Sequence, residues 1–182
     1  MRRATAVGLA CAIGLALGAC AAGGEVSPLA DSPRFFNLTE WVALQDSLLE
    51  GQSMEKRVVV NDVEETKRLD AVDWSEELAP FAQSDIDRPA LWDRYAVDTS
   101  AAAGGNAVIV YEALDEELFT RRIEIAVDAE GGVTRLLIDN AFASLVADTE
   151  QRLEWAPGTY AVYSRQEARL SEPRELRIEG RW

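Results

Sequence analysis

The stretch from Ala143 to Trp155 reads ASLVADTEQRLEW, the longest alternating pattern in the chain. The apolar positions are Leu145, Ala147, Leu153 and Trp155. The charged positions between them are Asp148, Glu150, Arg152 and Glu154. A period of two is typical of a β-strand with one buried side. Thr149 and Gln151 interrupt the apolar side, where we expect the strand to bend or to line a cavity.

The same period extends in both directions, over residues 107–182. Turn residues recur about every ten positions, as expected for antiparallel neighbours joined by short loops. The pattern therefore predicts an antiparallel meander of about six strands. One of its faces should carry Phe119, Ile123, Ile125 and Val127, with Arg121 near the rim of that face.

Residues 34–98 combine helical patterns with one hairpin. Asn37 is a candidate N-cap, with Glu40 at the third helical position and Gly51 as terminator. The predicted buried face of this helix comprises Leu38, Trp41, Val42, Leu48 and Leu49. A hairpin should follow, with strands at 56–61 and 63–69. The charges of its second strand indicate a sheet edge or an open face.

A second capped helix should begin at Asp73. Its apolar face would hold Trp74, Leu78 and Phe81, and Pro80 should bend it or end it early. Pro89 suits the start of a short helix carrying Leu91, Trp92 and Tyr95. Residues 99–106 are rich in alanine and glycine, and they predict a joint between the two halves.

One apolar face of such a sheet must be covered, and the helices can cover it. The predicted fold class is therefore α+β: a curved antiparallel sheet of about six or more strands, with N-terminal helices packed on one face. We expect a single domain over residues 34–182, with a helical and hairpin part at 34–98 and the meander at 107–182.

Residues 1–19 have the pattern of a secretory signal peptide. A short cationic start precedes an apolar run that is shorter than the ~20 residues of a membrane-spanning helix. Leu17-Gly18-Ala19-Cys20 resembles the lipobox of bacterial lipoproteins, in which the cysteine becomes the acylated N-terminus. By that resemblance, Cys20 is the predicted lipidation site and membrane anchor. Ala21 implies transfer to the outer membrane. Residues 20–33 should form a flexible tether, and the protein should face the periplasm.

A second resemblance involves an acidic and aromatic segment. Its residues are Asp73-Trp74, Glu77-Leu78, Phe81, Asp85-Ile86, Pro89 and Tyr95. In these positions the chain is similar to an uncharacterised family of small, lipobox-bearing outer-membrane lipoproteins of diderm bacteria. The chain departs from that pattern at Asp87-Arg88, where Asn-Lys is expected. The resemblance implies a location and an architecture, and no activity or catalytic residue.

Composition excludes several classes of function. The 182 residues include no histidine, which removes histidine triads and histidine metal sites. The net charge of −14 disfavours nucleic acid as a partner. The two cysteines are Cys11, inside the leader, and Cys20. The mature chain is therefore expected to have no free thiol and no disulfide.

Other motifs do not predict chemistry. Ser53-Met54-Glu55-Lys56 has the Ser-x-x-Lys spacing of penicillin-interacting enzymes, but their companion motifs are absent from the sequence. Asp85, Asp87 and Asp93 could bind calcium, yet they form no calcium loop and read more simply as caps and solvated loops. We predict no metal, no cofactor and no enzymatic activity.

Six aromatic residues could line a lipophilic pocket or form the core: Trp41, Trp74, Phe81, Trp92, Tyr95 and Trp155. The first functional hypothesis is a membrane-anchored, non-enzymatic envelope lipoprotein that binds another protein, as an accessory or assembly subunit. The alternative is a carrier or sensor of a lipophilic small molecule, bound between helices and sheet. A third hypothesis, an enzyme that uses carboxylates alone, requires acidic groups with raised pKa values.

Overall fold

The computed structural model describes residues 34–101 and 103–182. Within them are nine strands and three α-helices. The helices are α1 (Leu38–Leu49), α2 (Trp74–Glu77) and α3 (Ala79–Gln83). The strands are β1 (Met54–Val60), β2 (Val63–Leu69), β3 (Tyr95–Ala101), β4 (Ala107–Ala113), β5 (Thr120–Val127), β6 (Val133–Ala143), β7 (Ala147–Ala156), β8 (Thr159–Ala168) and β9 (Arg174–Arg181).

The nine strands form one open antiparallel sheet, in the order β2-β1-β9-β8-β7-β6-β5-β4-β3. Strands β3 to β9 follow one another as a meander, and each neighbouring pair is joined by a short connection. The pairing of β1 with β9 departs from chain order. It places the N-terminal hairpin beside the C-terminal strand, so that β2 and β3 become the two edges. The predicted antiparallel sheet with a few helices is confirmed.

The helices contact the sheet at well-separated points. Trp41 of α1 meets Trp155 of β7, with ring centroids 5.0 Å apart. The Glu77 carboxylate at the end of α2 accepts hydrogen bonds from Lys56 Nζ of β1 (2.7 Å) and from the Tyr160 hydroxyl of β8 (2.5 Å). Gly180 of β9 lies so close to Tyr160 that a Cβ there would collide with the ring. One face of the sheet thus packs against the helices.

The predicted helix starts are confirmed. Asn37 Oδ1 accepts from the Glu40 amide at 2.9 Å, and Asp73 Oδ1 accepts from the Glu76 amide at 3.0 Å. Each cap satisfies an amide that the first helical turn leaves without a partner. Pro80 interrupts the second helical segment, as predicted, and α3 begins beside it.

Two aspartates fix the start of the described chain. Asp87 Oδ1 accepts from the backbone amides of Arg34 (3.0 Å) and Phe35 (3.1 Å), and from Trp92 Nε1 (3.1 Å). The buried Asp85 accepts from the Thr39 hydroxyl at 2.9 Å. These carboxylates tie the entry of α1 to the loop that leads into β3. Both accept from backbone amides, but Asp85 is buried, so the expected solvated loop is wrong for this residue.

The sequence analysis was wrong about the segment before the meander. Tyr95 does not belong to a short helix, because the helical turn spans only Pro89–Leu91. Instead, Tyr95 begins β3, which extends into the first three residues of the predicted joint. This strand pairs only with β4 and exposes nearly all of its side chains. An edge strand of that kind needs no apolar alternation, so its sequence gave no signal.

Three buried positions were also predicted wrongly. A register shift between Thr120 and Arg122 reverses the alternation at the start of β5, so Thr120 is buried and Phe119 is exposed. Leu145 lies in the loop between β6 and β7 and is exposed. Leu48 lies on the outer face of α1. Each prediction extended a local pattern past a point where the structure interrupts it. The interruption is a bulge for Phe119, a loop for Leu145 and the limit of the helix contact for Leu48.

None of the helices in the described residues is both long and apolar enough to cross a lipid bilayer.

We predict that replacing Asp87 with alanine lowers the free energy of unfolding by about 1–3 kcal/mol, because three donors lose their acceptor. Urea titration monitored by tryptophan fluorescence measures this. The matched control is Asp93→Ala, since Asp93 is exposed and a change there should stay within about 0.5 kcal/mol. Equal effects of the two substitutions would contradict the role given to Asp87.

Candidate functional site

The face of the sheet opposite the helices carries a row of polar side chains across most of its width. Strand register brings these residues side by side, one from each of six neighbouring strands from β9 to β4. The row comprises Arg177, Tyr163, Arg152, Asp139, Arg122 and Glu112. Alternation of side chains places them away from Trp155 and Tyr160, which face the helices.

A cleft of about 880 Å³ opens on this face. Four arginines and four carboxylates contribute to its lining: Arg121, Arg152, Arg165, Arg177, Asp139, Glu150, Glu154 and Glu175. Tyr163 lies among them. The cleft is therefore close to neutral, although the whole chain carries a net charge of −14. It is a polar, aromatic-bearing surface in an otherwise acidic protein.

An ion-pair network borders the cleft. Arg57 of β1 donates to Glu64 at 2.7 Å and to Glu179 at 3.0 Å, and Arg177 also binds Glu179. These carboxylates hold the pKa of Arg57 above its ordinary value. Partial burial alone would raise the pKa of Glu179, but the hydrogen bonds from Arg57 and Arg177 outweigh it and lower that pKa. The network keeps this side of the cleft in a fixed, charged state.

Two arginines on the floor of the cleft have different surroundings. The Arg177 guanidinium lies over the Tyr163 ring, 5.0 Å from its centroid, in a cation–π contact. Arg152 donates from Nε to Asp139 at 2.7 Å. Its two terminal nitrogens make no hydrogen bond to any residue that the structure describes. Arg152 therefore presents a positioned fork of donors to the cleft, held in place through its Nε.

Three of the six singled-out aromatic residues come together on the helix side. Trp41 contacts Trp155, and its ring centroid lies 6.0 Å from that of Phe81. All three are buried. Their rings pack against one another between α1, α3 and β7, as in a hydrophobic core.

The other three lie apart from that cluster. Trp74 is buried against Trp182, with centroids 4.9 Å apart. Trp92 is half-buried beside Asp87. Tyr95 packs on Phe35 and donates its hydroxyl to the Thr120 carbonyl at 2.7 Å; burial raises its pKa to about 12. The six residues therefore do not line one common pocket.

Two indole groups of this set have no hydrogen-bond acceptor within the described part of the chain. They are Trp74 Nε1 and Trp155 Nε1, and both atoms are buried. A buried donor without an acceptor is costly, so each marks a place where a polar group of another molecule would be favoured.

The remaining sequence motifs have structural roles. Lys56 binds Glu77, and Ser53 Oγ accepts from Arg68 at 2.9 Å, so the Ser-x-x-Lys pair is not assembled. Across the residues described, no three carboxylate or thiol side chains are grouped to hold a metal ion. Cys20, the predicted lipidation site, lies outside the described residues, as do the leader and the tether.

The resolved carboxylate shifts all have the same direction. Among the described residues, the shifted carboxylate pKa values belong to Glu64, Asp73, Asp115 and Glu179, and all four are lowered. Hydrogen bonds from Arg57, Ser75 and the Glu117 amide are the main cause for the first three, and they favour the charged form. A general acid requires the opposite shift.

Sequence reasoning did not identify the cleft. It placed the charged residues of β7 on the side of the strand opposite the apolar residues and proposed no site there, because alternation shows which side a residue faces and not which strands become neighbours. The pairing of Tyr163 with Arg177 can be recognised only when the register of β8 with β9 is known. The available signal was the alternation of charge signs along β9, whose outward residues are Glu175, Arg177, Glu179 and Arg181.

Comparison of the chain with protein-family models, with curated proteins and with solved structures found no match in any of the three.

We predict that Glu179→Gln lowers the free energy of unfolding at pH 7 by about 1–2 kcal/mol, because Glu179 accepts charge-assisted hydrogen bonds and its side chain is only 14% exposed. The folded-state pKa of Glu179 lies below the ordinary value of 4.5. Its stabilisation is therefore complete above pH 4.5 and is lost as the pH falls through the folded-state pKa.

Urea titrations of both proteins between pH 3 and pH 7 test this, and the difference between them should shrink at the acidic end. Glu167→Gln is the control, because the Glu167–Arg165 pair is exposed and contributes little. A difference that stayed constant over this pH range would show that Glu179 does not act through its charge.

Proposed function

We propose that this protein is a lipid-anchored envelope lipoprotein that binds another protein through the cleft on the helix-free face of its sheet. It acts as an accessory or assembly subunit and not as an enzyme. The observation that carries the proposal is the free guanidinium end of Arg152, beside the Arg177–Tyr163 stack, on the floor of an open cleft.

The chemistry of the cleft favours a polypeptide ligand. Arginine and tyrosine are among the side chains enriched at the energetic centre of protein interfaces. Because the charges of the cleft are balanced, either an acidic or a basic peptide segment could bind there. Arg152 could bind a carboxylate through two hydrogen bonds. A curved sheet would present these groups from several strands to one extended segment.

The anchor belongs to the same proposal. Acylation of Cys20 in the lipobox-like segment would hold the domain at the outer membrane, on its periplasmic side, through a tether of residues 20–33. The likeness to small lipoproteins of diderm bacteria supports this location. Several acyl chains would make the attachment durable.

The test is site-specific photo-crosslinking of the full chain in the cells that produce it. A photoreactive amino acid in place of Tyr163 should give a discrete crosslinked product with a second protein. The same probe at Thr99, on the far edge strand β3, should give none. Absence of a product at Tyr163, or identical products at both positions, would overturn the proposal.

A second set of variants tests the anchor residue. Arg152→Ala should reduce the yield of the Tyr163 product about tenfold, since an arginine at the centre of an interface commonly contributes 1.4 kcal/mol or more. Arg68→Ala is the matched control, because Arg68 is equally charged, exposed and outside the cleft. Equal yields from the two variants would remove Arg152 from the site.

The alternative is a carrier of a lipophilic small molecule. It is favoured by the buried, unpartnered indole nitrogens of Trp74 and Trp155, which an oxygen atom of a ligand would satisfy. Native mass spectrometry of the full-length protein, extracted without refolding, is expected to give the mass of the lipidated chain alone. An additional bound lipophile that Trp155→Phe releases would favour the carrier instead.

A further inference from the structure

The exposed apolar side chains of the sheet are concentrated at one end. Of the ten large hydrophobic residues that are exposed in the described chain, seven lie in or beside the loops of that end. These are Val63, Leu114, Phe119, Phe142, Leu145, Val146 and Leu170. They come from four different hairpin connections, so the sequence gives no hint that they share a location. We call this end of the sheet the apolar end.

The most exposed members are at loop tips. Leu170, after β8, and Leu145, between β6 and β7, are 101% and 87% exposed. A hydrogen bond from the Arg169 amide to the Val146 carbonyl (3.1 Å) holds these two loops together. The apolar tips of these two loops therefore form one surface.

The opposite end has a different composition. Its connections include Asp128-Ala129-Glu130-Gly131-Gly132 between β5 and β6 and Pro157-Gly158 between β7 and β8. None of the exposed large hydrophobic residues of the described chain lies in a loop there.

The described chain enters at the apolar end. Phe35 packs on Tyr95 and Tyr111, with ring centroids 6.3 and 5.2 Å apart. Tyr95 pairs with Ala113, the residue before the exposed Leu114. The segment arriving from Cys20 thus joins the domain beside the apolar loops. Thirteen residues lie between Cys20 and Arg34, and the fourteen Cα–Cα steps span at most about 50 Å.

Electrostatic attraction does not explain why the apolar end would contact a membrane or protein surface. Its hairpin loops hold five carboxylates (Asp62, Asp115, Glu116, Glu117 and Glu172) against the single Arg169. Contact through this end must therefore depend on the apolar tips, and it should be insensitive to salt.

We propose that the apolar end docks on the lipid bilayer to which Cys20 is anchored, with Leu145, Val146 and Leu170 inserted at the level of the lipid headgroups. This inference rests on the proposed lipid anchor and adds an orientation to it. The helix-free face of the sheet would then lie perpendicular to the membrane, and partners could reach its cleft from the side.

The occupant is a lipid surface and not a second protein because the tether enters at this end. Anchoring keeps the domain at the bilayer, so even weak insertion of a few side chains becomes intramolecular and is populated. Leu145, Val146 and Leu170 would lie about 5–10 Å into the boundary between headgroups and acyl chains, as the apolar residues of peripheral membrane proteins do.

The test uses the full chain, lipidated in the producing cells and reconstituted into vesicles of phosphatidylethanolamine and phosphatidylcholine. A polarity-sensitive dye is attached at Leu170→Cys, and in a second protein at Glu130→Cys at the opposite end. Insertion should shift the emission of the dye at position 170 to shorter wavelength, and brominated phosphatidylcholine should quench it. The dye at position 130 should show neither change. High salt should not alter this contrast.

A further variant separates insertion from simple proximity. Leu145→Asp together with Val146→Asp should abolish the quenching at position 170, while vesicle flotation is retained. If flotation occurs but quenching is absent or equal at both positions, the docking proposal is overturned and the anchor stands. If the chain does not float with the vesicles, both the anchor and the docking proposal are wrong.

Discussion

The architecture depends on the pairing of β1 with β9. That pairing puts the N-terminal hairpin at one edge of the sheet, whereas β3 forms the other edge. The chain between β2 and β3 must therefore traverse eight strand spacings, about 38 Å. Residues 70–94 do so through α2, α3 and the Asp85–Asp87 loop, and α1 runs back between Phe35 and β1. The helical layer on one face is thus a consequence of where the first hairpin pairs.

This arrangement separates two kinds of surface. The face under the helices is closed by aromatic contacts such as Trp41–Trp155 and by the Glu77–Lys56–Tyr160 cluster. The opposite face has no covering element among the described residues, and its side chains bind one another across strands. Its polar groups come from neighbouring strands in register, which gives the cleft a rigid floor. Such a floor holds donor groups in place before a ligand arrives.

Local features of the fold could be predicted from the sequence, and long-range features could not. The caps at Asn37 and Asp73, the first hairpin and the antiparallel meander each depend on neighbouring residues, and all were found. The edge strand at Tyr95 was missed because an exposed strand carries no apolar alternation. Phe119 was misplaced by a bulge. The cleft brings Arg152 beside Tyr163 and Arg177, and only strand register can do that.

The position of β9 also has a kinetic consequence. Val60 pairs with Leu176, and Glu55 with Arg181, so these partners are more than 110 residues apart in the chain. Contacts of such high order form slowly, because a long loop must close before they bring any stabilisation. The meander from β3 to β8 can assemble from sequential hairpins, while the first hairpin waits for its neighbour. Until β9 has paired, β1 and β8 both present unpaired backbone, which is a template for pairing with another chain.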